Sequence, residues 1–118
     1  MSDKNPRPPL PSALMPDATP WKTFPGTRVD YRVLRRHAGD AGGLTLLLRF
    51  APGSDYAAHE HPGGEEYYVL EGTLRDGGKD YPAGSYVWHP PGSVHRPSSA
   101  TGCVVFVHLP AAVVVRET

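Results

Sequence analysis

His59-Glu60-His61-Pro62-Gly63-Gly64-Glu65-Glu66-Tyr67-Tyr68-Val69-Leu70-Glu71-Gly72 is the stretch on which the reading of this chain turns. Side chains on a β-strand alternate between faces, so His59 and His61 point the same way, one pleat apart. Pro62-Gly63-Gly64 cannot continue a strand and reads as a tight turn. The chain then returns through β-rich residues, Glu65 to Glu71, and stops at Gly72. Two imidazoles and a carboxylate across one turn form a plausible cluster for a divalent transition metal. A further ligand is needed, and His95 is on offer some thirty residues on.

Outward from this stretch the chain is rich in turn formers, with 13 Gly and 14 Pro in 118 residues. Short β-rich runs separated by such turns indicate an all-β sandwich or barrel. Val29 to Leu34 alternates as a half-buried strand. Leu44 to Phe50, a nearly continuous apolar run bounded by Gly42-Gly43 and Pro52-Gly53, is expected to be a strand buried on both faces. Further strands are expected over 57–61, 65–75, 85–89, 95–97 and 103–109, with a last one over 113–116. Asp76-Gly77-Gly78-Lys79 reads as a hairpin turn. No apolar pattern holds helical spacing over ten residues, so almost no helix is expected.

Residues 1–20 carry prolines at positions 6, 8, 9, 11, 16 and 20 and no periodic apolar pattern. They are read as an extended arm, with Leu10, Leu14 and Met15 as the residues by which it would dock. The body is then a single domain over 21–118, large enough to bury an ordinary core. Net charge is zero, and acidic and basic residues are interspersed. This argues against a dedicated nucleic-acid or membrane surface. The lone Cys103 allows neither an intrachain disulfide nor a thiolate zinc cluster. With no apolar run near ~20 residues and no signal-peptide pattern, a cytoplasmic location is the default expectation.

Two half-sites emerge as spacings. The first is Gly53, five residues, His59-x-His61, three residues, Glu65, six residues, Gly72; the second is Gly84, five residues, Pro90-x-Gly92, two residues, His95. The pair resembles the two motifs of the cupin superfamily, whose members fold as small jelly-roll β-barrels. The resemblance implies that His59, His61, Glu65 and His95 bind one metal ion. A closer likeness is to the cupin half of ChrR-type anti-sigma factors, over roughly residues 21–109. It is carried by His61-Pro-Gly-Gly-Glu-Glu66, Val69-Leu-Glu-Gly72, Asp80-Tyr-Pro-Ala-Gly84, Pro90-Pro-Gly-Ser-Val-His95 and Gly102-Cys103. Where the superfamily often has Asn, four residues after the last histidine, this chain has Ser99. Nothing before Trp21 could form an anti-sigma half, so sigma-factor binding is not carried over.

Glu66 competes with Glu65 for the carboxylate role; the count to Gly72 favours Glu65, and parity puts Glu66 on the other face. Glu60 is read as solvated on the face opposite the histidines. His89 and His108 could approach the pocket, although core or supporting roles are commoner for strand histidines; His37 is read as a loop residue. Tyr67, Phe50, Trp88 and Phe106 are candidates for the pocket wall. Arg49 is read as reaching solvent rather than holding an anionic substrate. Three neutral imidazoles and a carboxylate would leave an octahedral divalent ion two open positions, a shell suited to iron or zinc and also to manganese or nickel. Two functions follow: a dioxygenase-like enzyme acting on a small chelating substrate, or a non-catalytic zinc-binding, ligand-sensing domain of ChrR type. No catalytic residue is assigned beyond the metal shell. Apolar residues on both strand faces lead us to expect a homodimer.

Overall fold

A β-bulge and two glycines set the geometry of the long strand that carries Glu65. The structure, a computed structural model, describes residues 10–115. Twelve strands follow in order: β1 Lys22–Thr23, β2 Val29–Arg36, β3 Gly42–Phe50, β4 Ser54–Asp55, β5 His59–His61, β6 Glu65–Asp76, β7 Lys79–Pro82, β8 Tyr86–His89, β9 Ser93–His95, β10 Ser98–Ser99, β11 Cys103–Ala111 and β12 Val114–Val115. No helix occurs among the described residues, and hence none long and apolar enough to cross a membrane.

All pairings are antiparallel. The larger sheet runs β1-β2-β3-β11-β6-β10-β4, with β7 and β8 also paired to β6; the smaller runs β12-β5-β9. Strand β6 is the hub. Its first half pairs with β11 on one side and β8 on the other, Tyr67 standing opposite Val107 and Val87. Its second half forms the expected hairpin with β7, closing on Asp76 opposite Lys79 with Gly77-Gly78 as the loop. The core fills the inner face: Val29, Leu46, Phe50, Tyr67, Val69, Leu74, Cys103, Val105, Val107 and Leu109 are all buried.

Between the two halves of β6 the ladder to β11 slips, because Val105 pairs with Val69 while Val104 pairs with Glu71. Leu70 is the extra residue of a bulge, which leaves one side chain unpaired and reverses the alternation beyond it. Before the bulge the buried residues are Glu65, Tyr67 and Val69; after it they are Leu74 and Asp76. Gly72 permits the crossing. It sits at φ +71°, and a Cβ there would run into the Gly102 carbonyl.

The outer face carries a row across the larger sheet. Leu47 pairs with Phe106, Phe106 with Tyr68, and Tyr68 with Tyr86. The apolar run of β3 therefore has one core face only. Leu46 and Phe50 are buried, whereas Leu47 is partly exposed and Arg49 open, because no second layer covers the outer side. Strand β9 falls at Ser93–His95 rather than over 95–97.

Of the expected arm, residues 1–9 lie outside the described residues, as does Arg116 at the end of the expected last strand. From Leu10 to Pro20 the chain forms no strand. Leu10, Leu14 and Met15 do not dock it; they are 91%, 43% and 71% exposed. Arg32 holds it instead, donating to the Met15 carbonyl at 2.8 Å and to Thr19 Oγ1 at 2.9 Å. The polar backbone of a proline-rich segment offers more acceptors than its few apolar side chains offer surface.

Candidate metal centre

The site forms where the small sheet faces the large one. Strand β5 lies between β9 and β12, and the register sets His59 directly opposite His95. Parity turns His59 and His61 to the same side, and both are buried. The turn from His61 to Glu65 closes through a hydrogen bond from Gly64 N to the His61 carbonyl. Gly64 adopts φ +80°, and a Cβ would meet the His89 carbonyl at 2.8 Å, so this corner needs glycine. Glu65 then opens β6 facing inward, 6% exposed.

One ligand-type atom from each of His59, His61, Glu65 and His95 lies within 4.8 Å of all the others. His95 Nε2 is 2.8 Å from His61 Nε2 and 3.0 Å from His59 Nε2. Glu65 completes the group, 3.4 Å from His61 Nε2 and 3.5 Å from His95 Nε2. The spacing suits a cation. Nitrogens about 2.1 Å from one ion and at right angles lie roughly 3.0 Å apart. The tautomers agree. His59 donates its Nδ1–H to the Ala57 carbonyl at 2.9 Å, and His95 donates its Nδ1–H to Asp76 at 3.0 Å. With the protons on their outer nitrogens, the neutral rings would each present an Nε2 lone pair to a shared positive ion. His61 Nδ1 is buried without a partner among the described residues.

Burial pushes the His59 imidazole down to about 4 and His61 down to about 3, so both are neutral at pH 7, the form in which an imidazole can bind a metal ion. Burial also raises the Glu65 carboxyl to about 7, an expensive anion unless a cation faces it. For His95, burial lowers the value, but the hydrogen bond to Asp76 and the negative charges of Glu65 and Asp76 carry it above the ordinary range.

A cavity of about 130 Å3 opens beside these four residues. Leu44, Leu46, Leu48, Phe50, Val105 and Val107 form much of its wall, and among the described residues neither lysine nor arginine lines it. Phe50 and Tyr67 are wall residues, as expected. Trp88 and Phe106 are not. They stand on the outer face, 61% and 38% exposed, since alternation along β8 and β11 gives the inner positions to Val87, Val105 and Val107. His108 is also external, with Nδ1 3.1 Å from Glu66 Oε1, and His37 packs edge-on to it at 5.0 Å. Glu66 also accepts from the Tyr86 hydroxyl at 2.6 Å, so the two adjacent glutamates serve opposite faces. Glu60 is partly buried rather than open to solvent. Arg49 pairs with Asp30 at 2.9 Å and lies 4.1 Å over the Trp21 ring, away from the cavity. Ser99 is buried and donates to the Thr73 carbonyl at 2.6 Å, a link between strands rather than a ligand.

Sequence reasoning missed Asp76. It is 3% exposed and lies behind His95, and it was absorbed into the reading of a hairpin turn. His89, weighed as a supporting residue, reaches the same carboxylate at 2.8 Å.

An antiparallel β-barrel with imidazoles and one carboxylate converging on its inner wall is the architecture of a cupin. Within that class the chain belongs to the family described as the ChrR cupin-like domain, which matches residues 12–112. No curated protein matches the chain. Among solved structures it is similar to a proposed acetylacetone dioxygenase from Methylibium petroleiphilum PM1, with TM-score 0.80 and 19% identity over 94% of this chain and 85% of that one. An acetylacetone dioxygenase from Acinetobacter johnsonii gives TM-score 0.71 and 16% identity, over 98% and 79% of the two chains. Rhodobacter sphaeroides SigE in complex with the anti-sigma ChrR gives TM-score 0.66 and 24% identity, over 80% of this chain and 51% of that one. At these identities the likeness is one of fold.

Proposed function

We propose that the protein is a mononuclear non-haem metal enzyme of dioxygenase type that acts on a small chelating substrate. His59, His61, Glu65 and His95 are the residues that would hold the ion. When bound, a divalent ion supplies Lewis acidity and, if redox-active, electrons for dioxygen chemistry. The carrying observation is the pairing of this donor cluster with an otherwise apolar cavity that no lysine or arginine lines among the described residues. A substrate there has nothing to hold its polar atoms except the metal shell and the few polar groups around it. A neutral or singly charged chelator with an apolar remainder fits; a multiply charged acid does not, because its second charge would be buried unpaired. The aliphatic walls exclude water and hold the apolar part, while His59 and His95, fixed through their outer nitrogens, keep their inner nitrogens aimed at one point.

The test uses protein purified without oxygen and analysed for metal, then supplied with iron and a panel of 1,3-diketones and related chelators while oxygen uptake is followed. Oxygen consumption with one of them, lost in the His61→Ala variant, supports the reading. The family match favours a second reading, a zinc-holding domain that binds a ligand without turning it over. Protein that takes up zinc, rejects iron and consumes no oxygen with any of the panel decides for that reading.

A further inference from the structure

The three imidazoles of the cluster do not receive equal support from behind. His61 Nδ1 has no partner among the described residues. His59 Nδ1 has a neutral backbone carbonyl. His95 Nδ1 has a carboxylate, that of Asp76, at 3.1 Å and 3.0 Å from its two oxygens. That carboxylate is itself held. The Tyr67 hydroxyl donates to Asp76 Oδ2 at 2.7 Å, and His89 Nε2 donates to the same oxygen at 2.8 Å. A buried carboxylate with three donors cannot rotate without breaking at least one bond, and it is too well satisfied to take a proton easily.

Asp76, His89 and His95 also lie close enough to suggest a metal site of their own. The distances argue otherwise. Each close contact to Asp76 is that of an N–H or O–H donor on an acceptor, and Tyr67 fills one side of the same oxygen. His95 can present a lone pair at only one nitrogen while the other carries the proton, and its Nε2 already faces the main cluster.

We propose that Asp76, clamped by Tyr67 and His89, is a positioning residue that fixes the tautomer and ring plane of His95 and makes it the anchoring ligand of the centre. The inference rests on the ligand set given under Proposed function. A carboxylate behind a ligating imidazole holds the proton on the outer nitrogen, orients the inner lone pair, and raises the ring's basicity toward the ion. Among the three histidines, only His95 has this support. The bulge in β6 is what brings Asp76 inward to supply it.

The experiment measures zinc affinity by chelator competition for the wild type and for Asp76→Asn and His89→Ala. It is combined with nitrogen-15 NMR of the imidazole rings, which reports which nitrogen of His95 bears the proton. Expected are a 10–100-fold loss of zinc affinity in Asp76→Asn, a smaller loss in His89→Ala, and a wild-type His95 protonated at Nδ1 with zinc on Nε2. Should Asp76→Asn fail to fold, the wild-type spectrum still decides. A wild-type His95 protonated at Nε2, or an Asp76→Asn protein that binds zinc within twofold of wild type, overturns the inference and leaves the proposed ligand set standing. A wild-type protein that binds no zinc and no iron overturns both.

Discussion

The two faces of β6 use nearly the same residues for different ends. Inward go Glu65 and Tyr67; outward go Glu66 and Tyr68. Glu65 is buried against histidines, and burial lifts its carboxyl to about 7. Glu66, one residue on, receives hydrogen bonds from Tyr86 and His108 that lower its carboxyl. Each tyrosine shows the same contrast. Tyr67 is 2% exposed and donates to Asp76, whereas Tyr68 is 44% exposed and lies in a row with Phe106 and Tyr86. Residue type alone therefore says little about role here. The side of the sheet decides whether a carboxylate is a costly buried charge waiting for a cation or an ordinary surface acceptor.

The sharpest way to break this contrast is to neutralise each glutamate in turn. Glu65→Gln removes the one anionic member of the proposed ligand set and should lower zinc or iron affinity by more than about 100-fold, since changes merely adjacent to ligands cost 10–100-fold. Glu66→Gln should leave affinity within about twofold and stability within about 0.5 kcal/mol, as for most surface substitutions. Chelator competition and thermal melts check both. Equal losses of affinity would mean that the two faces are not functionally distinct.

Acid supplies the next test. In the metal-free protein, His59 and His61 titrate near 4 and 3, against 6.5 when unfolded. As pH falls from about 6.5 toward 4, the unfolded chain gains protons that the folded one refuses, so these two groups withdraw stability. Glu65 opposes them between about 7 and 4.5, because its folded carboxyl binds a proton earlier, whereas the raised His95 has already given its stabilisation above about 6.5. The melting midpoint of chelator-treated protein should fall through this window, and fall more steeply in Glu65→Gln. An unchanged slope would show that Glu65 is not titrating there.

Smaller effects belong to the outer face. Tyr68, Leu70, Tyr86, Trp88 and Phe106 are all exposed in a single copy. Pairing of two copies through them is the homodimer expected from the sequence, and a Tyr68→Ser, Trp88→Ser double variant should shift the mass in solution toward the monomer with metal content unchanged. A wild-type protein that is already monomeric ends that expectation. Removing residues 1–20 should have the least effect, about 1 kcal/mol from the lost Arg32 hydrogen bonds, with metal binding and cooperative unfolding retained. Loss of folding would make the arm a structural part of the barrel.

The contrast between faces was legible in sequence only as far as strict alternation holds. From Glu65 to Val69 it holds, and the inward glutamate and tyrosine were recoverable from parity and from the spacing of His59 and His61. Beyond Leu70 it fails. A residue counted on from Glu65 at period two puts Leu74 and Asp76 outside, where the structure has them buried. The local sign is Gly72, which reads as the end of a strand, whereas the structure runs β6 on through it beneath the Gly102-Cys103 backbone, where a glycine marks a bulge or a close approach. Trp88 and Phe106 failed for a related reason. An aromatic residue in a strand is core by propensity, but here the row of outer-face aromatics overrides that preference.

The single extra residue at Leu70 also bears on how such a chain can change over generations. A substitution there leaves the strand's two halves in place and is felt only locally. Loss of that one codon is absorbed too: with Leu70 gone, Glu71 follows Val69, the ladder becomes regular and Asp76 keeps the inner side, whereas a codon lost between Gly72 and Asp76 would send Asp76 to the surface. The long strand thus tolerates spelling errors and the loss of its one extra letter, but not a change in letter count past Gly72, and length variation in descendants of this sequence should be confined to the bulge at Leu70 and the Gly77-Gly78 loop.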